Sequence, residues 1–282
     1  MLASAPLDST NLYHSIQHLA DSLHAEIGVA FYDLKSGQSF TFQDRLMLHA
    51  ASTMKVPVMI EVFRQAEAGK FSLDDSLLVK NEFKSIVDGS PYSMDIGEDS
   101  DDSVYKMINR RMTIRQLVEQ MITVSSNLAT NILIDLVDAK NVMKTLQALG
   151  INRMQVLRGV EDTKAFNLGL NNRTDAYDMM LTIQAIAENR AASPASCAEM
   201  IEILKQQKFR EKIPAGLPNG MVVANKTGDI TNIDHDAAIV FPPHRRPFVL
   251  VVLTHNIEDH LVAAQAIASI SKMIWAHFIS VR

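Results

Sequence analysis

Leu12, Ile16, Leu19 and Leu23 recur at helical spacing behind Asp8, Ser9 and Thr10, which predicts an amphipathic helix over roughly residues 10–25. The period then drops to two. Residues 27–34 and 39–42 read as short strands joined by the glycine-containing turn KSGQ, a hairpin. From about residue 50 the pattern turns helical and stays so, over 53–68, 113–123, 127–138, 141–149, 174–189 and 194–208. Thr113 with Gln116 forms a capping box, Gly150 marks a stop, and Thr174 with Asp175 marks another start. After the break IPAGLPNG, strand-like runs return at 221–225, 236–241 and 248–254. The chain closes on a helix over 260–279, with Leu261, Ile267, Ile270, Ile274 and Ile279 as its apolar face and Trp275 in the core.

Strands and two helices therefore come from the two ends of the chain, and helices from its middle. This predicts an α+β fold: an antiparallel sheet flanked by the N- and C-terminal helices, with an inserted all-helical domain. The expected division is a sheet domain of residues 1–48 and 212–282 and a helical domain of residues 49–211, with the crevice between them as the place for a site. The acidic stretch DIGEDSDD (95–102) reads as a solvated loop.

With 282 residues, 47% of them hydrophobic, the chain can bury a large core. A formal charge of −5 with dispersed Lys and Arg argues against a nucleic-acid partner, and no apolar run reaches the ~18 residues of a membrane span, so neither partner is expected. A monomer acting on a small molecule is the expectation. MLASAPLDST has neither the basic start nor the apolar centre of a secretion signal. The single Cys197 rules out an internal disulfide and is expected in the core of a helix. His14 and His18 lie one helical turn apart without an evident third ligand, and no glycine-rich phosphate loop is present, so no metal and no cofactor are expected.

The candidate chemistry begins with HAASTMKVPVMIEVF (49–63). Ser-x-x-Lys is poor evidence alone, since a chain of this size carries about one by chance. This chain carries three. Ser103 with Lys106 lies beside the acidic stretch, whose carboxylates oppose an alkoxide, and Ser269 with Lys272 lies in mid-helix. Ser52 stands at the start of a long buried helix, where free N–H groups favour an anion, with Lys55 one turn on and on the same face. A capping serine with a snorkelling lysine fits that stretch equally well when it is taken alone.

Two later motifs change the weighing: Ser125-Ser126-Asn127 in VSSNLAT, at a junction of two helices, and Lys226-Thr227-Gly228 in NKTGDI, at the end of a strand. Ser-x-x-Lys, Ser-x-Asn and Lys-Thr-Gly in this order form the signature of penicillin-recognising serine enzymes. Together with ASTMKVPVMIEVFRQAEAGKFSLDD and MTIRQLVEQMITVSSNLATNILID, they make the chain resemble a class A β-lactamase, or a close serine-hydrolase relative, across nearly its whole length.

The resemblance implies a β-lactamase/transpeptidase-like fold, a periplasmic or secreted location, and a β-lactam or D-Ala-D-Ala-like substrate. It implies Ser52 as the acylated nucleophile, Lys55 as the group that activates it, and Ser125, helped by Lys226, as proton donor to the departing nitrogen. Asn127 is then expected to bind the substrate side-chain amide and Thr227 its carboxylate. The backbone N–H groups of Ser52 and of Asp229, after Gly228, are expected to form the oxyanion hole. In LRGVEDTKAFNLGLNNRTDAYD (157–178), Glu161 is the candidate deacylating base, with Arg158 ahead of it and Asp162 as the alternative carboxylate.

The match frays in two places. The family carries an Asn four residues after its Glu, but position 165 is Ala and the nearest Asn is Asn167. Residues 227–243 contain no Arg to hold a carboxylate, so Thr227 and Lys226 are left for that task, with any further base coming from elsewhere. The rival expectations are a D-Ala-D-Ala peptidase or esterase of the same fold, and a penicillin-binding sensor that is acylated without turnover.

Overall fold

The structure, a computed structural model, describes residues 8–279. Helix α1 (Thr10–Ser22) leads into strands β1 (Glu26–Asp33) and β2 (Ser39–Phe42). A helical stretch follows, comprising α2 (Lys55–Glu67), α3 (Ile114–Thr123), α4 (Asn127–Val137), α5 (Ala139–Ala148), the short α6 (Thr163–Asn167), α7 (Ala176–Ala187) and α8 (Pro194–Lys205). Strands β3 (Val222–Ile230), β4 (Ile233–Phe241) and β5 (Phe248–His255) and helix α9 (His260–Ile274) complete the chain.

The strands form one antiparallel sheet in the order β2-β1-β5-β4-β3, which puts β5 at its centre and β3 at its edge. Centrality explains the unbroken apolar run of β5, because both of its faces are covered. Phe248, Leu250 and Val252 join Ile16 of α1 and Ile267, Ile270 and Ile274 of α9 on one side, while Val249, Val251 and Leu253 join the helical core on the other. Helix α7 packs across β1, β4 and β5 and ties that core to the sheet. Helix α2 lies innermost, buried on almost all sides from Lys55 to Phe63, as its run of apolar residues demands.

Several local expectations are corrected. The apolar run at 53–68 begins as a 3₁₀ turn, Ala51–Met54, before α2. Strand β3 runs on to Ile230, because Lys226 and Thr227 are buried ladder residues whose polarity masks the strand period. The insert is not wholly helical: two-residue and three-residue ladders pair Leu48–His49 with Arg173–Thr174, Ser76–Leu78 with Arg111–Thr113, and Phe83–Lys84 with Pro91–Tyr92. Leu261 is 71% exposed and does not belong to the apolar face of α9. Trp275 is only partly buried, against Phe248, where the helix passes into the π-helical stretch Trp275–Ile279. By length and hydropathy His260–Ile279 could cross a membrane, but half of its window is buried inside the fold.

The 3₁₀ turn Ile213–Gly216 packs on α9, where Ser271 Oγ donates to the Ile213 carbonyl at 2.9 Å. A methyl at Gly216 would meet the Ala268 carbonyl oxygen and approach Ser271 Cβ to 2.8 Å. Gly216→Ala is expected to lower the unfolding free energy by about 1–3 kcal/mol through overpacking, read as a lower urea midpoint at unchanged m.

Candidate active site

Ser52 lies on the 3₁₀ turn, which no side chain caps, so it is not a helix cap. Its turn is held from outside: the Ala51 N–H donates to His49 Nδ1 at 3.0 Å, and Ala51 itself has φ +43°. That bond fixes His49 as the Nε2–H tautomer, and burial lowers its pKa to about 4, so the ring is neutral. Strand β3 presses on the other side of the turn. A Cβ at Gly228 would stand 2.9 Å from Ser52 N and 3.0 Å from Thr53 N, so only glycine permits this approach of backbone to backbone.

Lys55, in the first turn of α2, and Lys226, on β3, are both fully buried and converge on one hydroxyl. Ser125 Oγ lies 3.2 Å from Lys55 Nζ and 3.0 Å from Lys226 Nζ. Lys55 Nζ also donates to the Ser125 carbonyl at 2.6 Å and to Asn127 Oδ1 at 2.8 Å, and Lys226 Nζ donates to the Thr227 carbonyl at 2.7 Å. Burial lowers the Lys55 pKa to about 7, against the attraction of Asp99, Asp229 and Glu161. Burial and then the neighbouring Lys55 push Lys226 well below the ordinary lysine value. A neutral Lys55 amine spends its two N–H groups on the Ser125 carbonyl and Asn127, which leaves its lone pair for a hydroxyl.

Glu161 faces these groups across a cleft of about 470 Å³ lined by Ser52, Ser125, Asn127, Glu161 and Asp229. Its Oε1 accepts from Asn127 Nδ2 at 3.0 Å and its Oε2 from the Asp95 N–H at 3.0 Å, so Asn127 bridges Glu161 to Lys55. Burial raises the Glu161 pKa, partly offset by those two hydrogen bonds. Asn131, one turn after Asn127 on α4, clamps the loop by accepting from Val160 N at 2.7 Å and donating to Val160 O at 3.0 Å. Any side chain at Gly159 would strike it. Ser125 and Glu161 both hold φ +61°, a costly conformation for residues with a Cβ and one concentrated at functional sites.

The remaining candidates are engaged in other contacts. Asn167 ends α6, is exposed and is not among the residues that line the cleft. Asp162, the alternative carboxylate, is buried and engaged by Ser85 Oγ, Ile86 N and Ala165 N at 2.9, 2.9 and 3.2 Å. Arg158 closes the loop on neutral acceptors, the Leu170 and Gly159 carbonyls and Asn171 Oδ1, each at 2.9 Å. Lys106 is exposed and paired with Asp102, and Ser103 Oγ bonds Gln120, so that Ser-x-x-Lys pair holds no site.

The acidic stretch, expected to be merely solvated, instead builds one wall of the cleft. Asp99 accepts from the N–H groups of Asn127 at 2.8 and 2.9 Å and of Leu128 at 3.0 Å, capping α4 beside the lysines. Lys212 carries no motif either. It is 2% exposed and bridges Asp229 and Asp234, the latter at 2.9 Å, while Asp234 also meets His260 Nδ1 at 2.8 Å. Burial works against its charge, but the two carboxylates raise its pKa. Its place 14 residues before Lys226 carries no local signal, and only the β3–β4 pairing brings Asp229 and Asp234 to it.

Comparison with known proteins follows the same lines. A model described as "Beta-lactamase enzyme family" matches residues 11–278. The β-lactamase AER-1 of Aeromonas hydrophila is 22% identical over 273 residues, covering 95% of this chain and 86% of that one. A β-lactamase structure from Sphaerobacter thermophilus superposes with TM-score 0.80 at 25% identity, covering 96% and 98% of the two chains. A PBP-A mutant determined as an acyl-enzyme complex with penicillin G gives 0.82 at 25% identity, covering 99% of each.

The lysine pair makes a direct prediction. In ¹³C-labelled protein, Lys55 is expected to titrate with a midpoint of about 7. Because Glu161 favours the protonated amine, Glu161→Gln should move that midpoint downward. The folded pKa lies below the free-chain value of 10.5, so this group costs stability below about pH 7 and the cost fades as pH rises from about 7 to 10.5. A Lys55 midpoint near 10 would contradict the burial described here.

Proposed function

The chain belongs to the beta-lactamase enzyme family, and from that premise we propose that it opens β-lactam rings through an acyl-serine intermediate, as class A β-lactamases do. The observation that carries this reading is the convergence of Lys55 and Lys226 on Ser125 Oγ beside a reachable Ser52. We read the two halves, 1–48 with 212–282 and 49–211, as the lobes between which the substrate lies, and a periplasmic or secreted location accords with the family.

In acylation the Ser52 hydroxyl gives its proton to the Lys55 amine, directly or through water, while its oxygen attacks the lactam carbonyl carbon. The carbonyl oxygen becomes an oxyanion held by the backbone N–H groups of Ser52 and Asp229, donors of this kind being worth roughly 3–4 kcal/mol in the transition state. The C–N bond then breaks. The nitrogen takes the Ser125 proton, and that hydroxyl is refilled from the Lys55 side of its bond while Lys226 steadies the developing charge. In deacylation Glu161 removes a proton from water as that water attacks the ester carbon, and the C–O bond to Ser52 breaks as that same proton passes from Glu161 to Ser52 Oγ, which leaves Glu161 ionised and Lys55 neutral for the next cycle. Asn127, fixed between Lys55 and Glu161, lines the cleft where the substrate side chain would lie.

A second reading is an acyl-enzyme that turns over slowly, whether sensor, peptidase or esterase. It is supported by Ala165, which offers no side chain to place the water, and by the likeness to PBP-A.

Intact mass after brief and long exposure to a penicillin tests both readings. The expected result is a +1 penicillin adduct on Ser52 that decays, with Ser52→Ala giving none. Glu161→Gln should hold the adduct and lower the steady-state rate by about 10²-fold or more, the general-base share. An unchanged rate in Glu161→Gln would place the base elsewhere. Acylation in the parent should fall as pH drops below about 7, where Lys55 takes up its proton.

A further inference from the structure

The cleft carries its charges unevenly. Lys55 and Lys226 are sealed beneath it, Arg158 is buried, and His49 is neutral, so the charged side chains it shows to solvent are the carboxylates Glu98, Glu161 and Asp229. Asp229 is the one beside the oxyanion position. Its side chain is 48% exposed, and it covers the nearly inaccessible Lys212, with Asp234 behind. Strand alternation sets Thr227 on the same side of β3 as Asp229, and the Thr227 hydroxyl is buried with no partner among the described residues.

A lysine covered by an exposed carboxylate, two residues along the same strand face from a hydroxyl without a partner, has the makings of an anion site already filled by the chain's own carboxylate. We infer that Asp229 plugs the end of the cleft where a substrate carboxylate would sit, so that the site selects acyl donors that are neutral or cationic there. This rests on the lactam reading above and narrows its substrate class. An incoming carboxylate would have to displace Asp229 from Lys212 and then lie beside it, like charge against like charge. A neutral ester meets neither obstacle. The expectation that Thr227 and Lys226 hold a substrate carboxylate is revised accordingly: Lys226 is spent on Ser125 Oγ and the Thr227 carbonyl, and Lys212 is already paired with Asp229.

Two measurements decide the matter on the parent, Asp229→Asn, Asp229→Ser and the double variant Asp229→Asn with Lys212→Met. In the first, a chromogenic cephalosporin is supplied as the free acid and as its carboxylate methyl ester. The parent is expected to favour the ester in kcat/KM, and Asp229→Asn to shift the acid-to-ester ratio toward the acid by at least about tenfold, mainly through KM, with the double variant losing that gain. In the second, sulfate is titrated at constant ionic strength by calorimetry. Asp229→Asn and Asp229→Ser should acquire a saturable anion site that the parent and the double variant lack. An unchanged ratio, or equal sulfate binding in parent and single variants, overturns the plug. If no protein reacts with either lactam yet the single variants gain the sulfate site, the plug stands and the lactam reading falls.

Discussion

Two ammonium groups buried against one hydroxyl are the demand around which this molecule is arranged. Water would solvate Lys55 and Lys226 far better than the interior does, and each discourages the charge of the other. The fold meets this by letting at least one of them go neutral and by supplying acceptors at close range: the Ser125 and Thr227 carbonyls, Asn127 Oδ1 and the shared Ser125 Oγ. The desolvation that costs stability is the same desolvation that would make an amine able to accept a proton near neutral pH.

The backbone around these groups is correspondingly constrained. Ala51, Ser125 and Glu161 occupy the left-handed region, each next to or within the cleft, and each is pinned by hydrogen bonds from neighbouring segments. His49 fixes the first, the lysines the second, and the Asp95 N–H with Asn127 the third. Helix α4 is the common support. Its Asn127 and Asn131, four residues apart on one face, reach the lysine and the Glu161 loop together, and Asp99 caps its first turn. The cleft is thus held by hydrogen bonds between segments far apart in sequence rather than by any one rigid element. The carboxylates around it answer the same need, since Asp99, Glu161 and Asp229 all favour the charge of buried Lys55.

Periodicity made much of the fold legible: the terminal helices, the antiparallel strands and most of the helical middle. Three failures share a cause. The polarity of buried Lys226 and Thr227 ends the predicted β3 at residue 225, apolarity puts Leu261 inside, and charge puts DIGEDSDD in solvent. In each case hydropathy stood in for burial, and tertiary partners decided otherwise. The cleft shows the same division. Ser52, Lys55, Ser125, Asn127, Lys226 and Gly228 could be picked out because motif spacing records short-range geometry, one helical turn or one strand edge. His49, Asp99, Asn131 and Lys212 could not, and Asn167 lies outside the cleft lining, because their positions follow from how the chain returns on itself.

What the sequence by itself determined was therefore local: which segments coil or extend, which glycine admits a neighbouring backbone, and which hydroxyls and amines share a turn. The tertiary structure decided their charges and their company. Whether a lysine is neutral, a carboxylate capped or an anion site already filled depends on desolvation and on partners some 15 to 100 residues away, such as Lys212 with Asp229 (|i−j| 17) and Lys226 with Ser125 (|i−j| 101). Those quantities belong to the packed interior, where distance along the chain no longer measures distance in space.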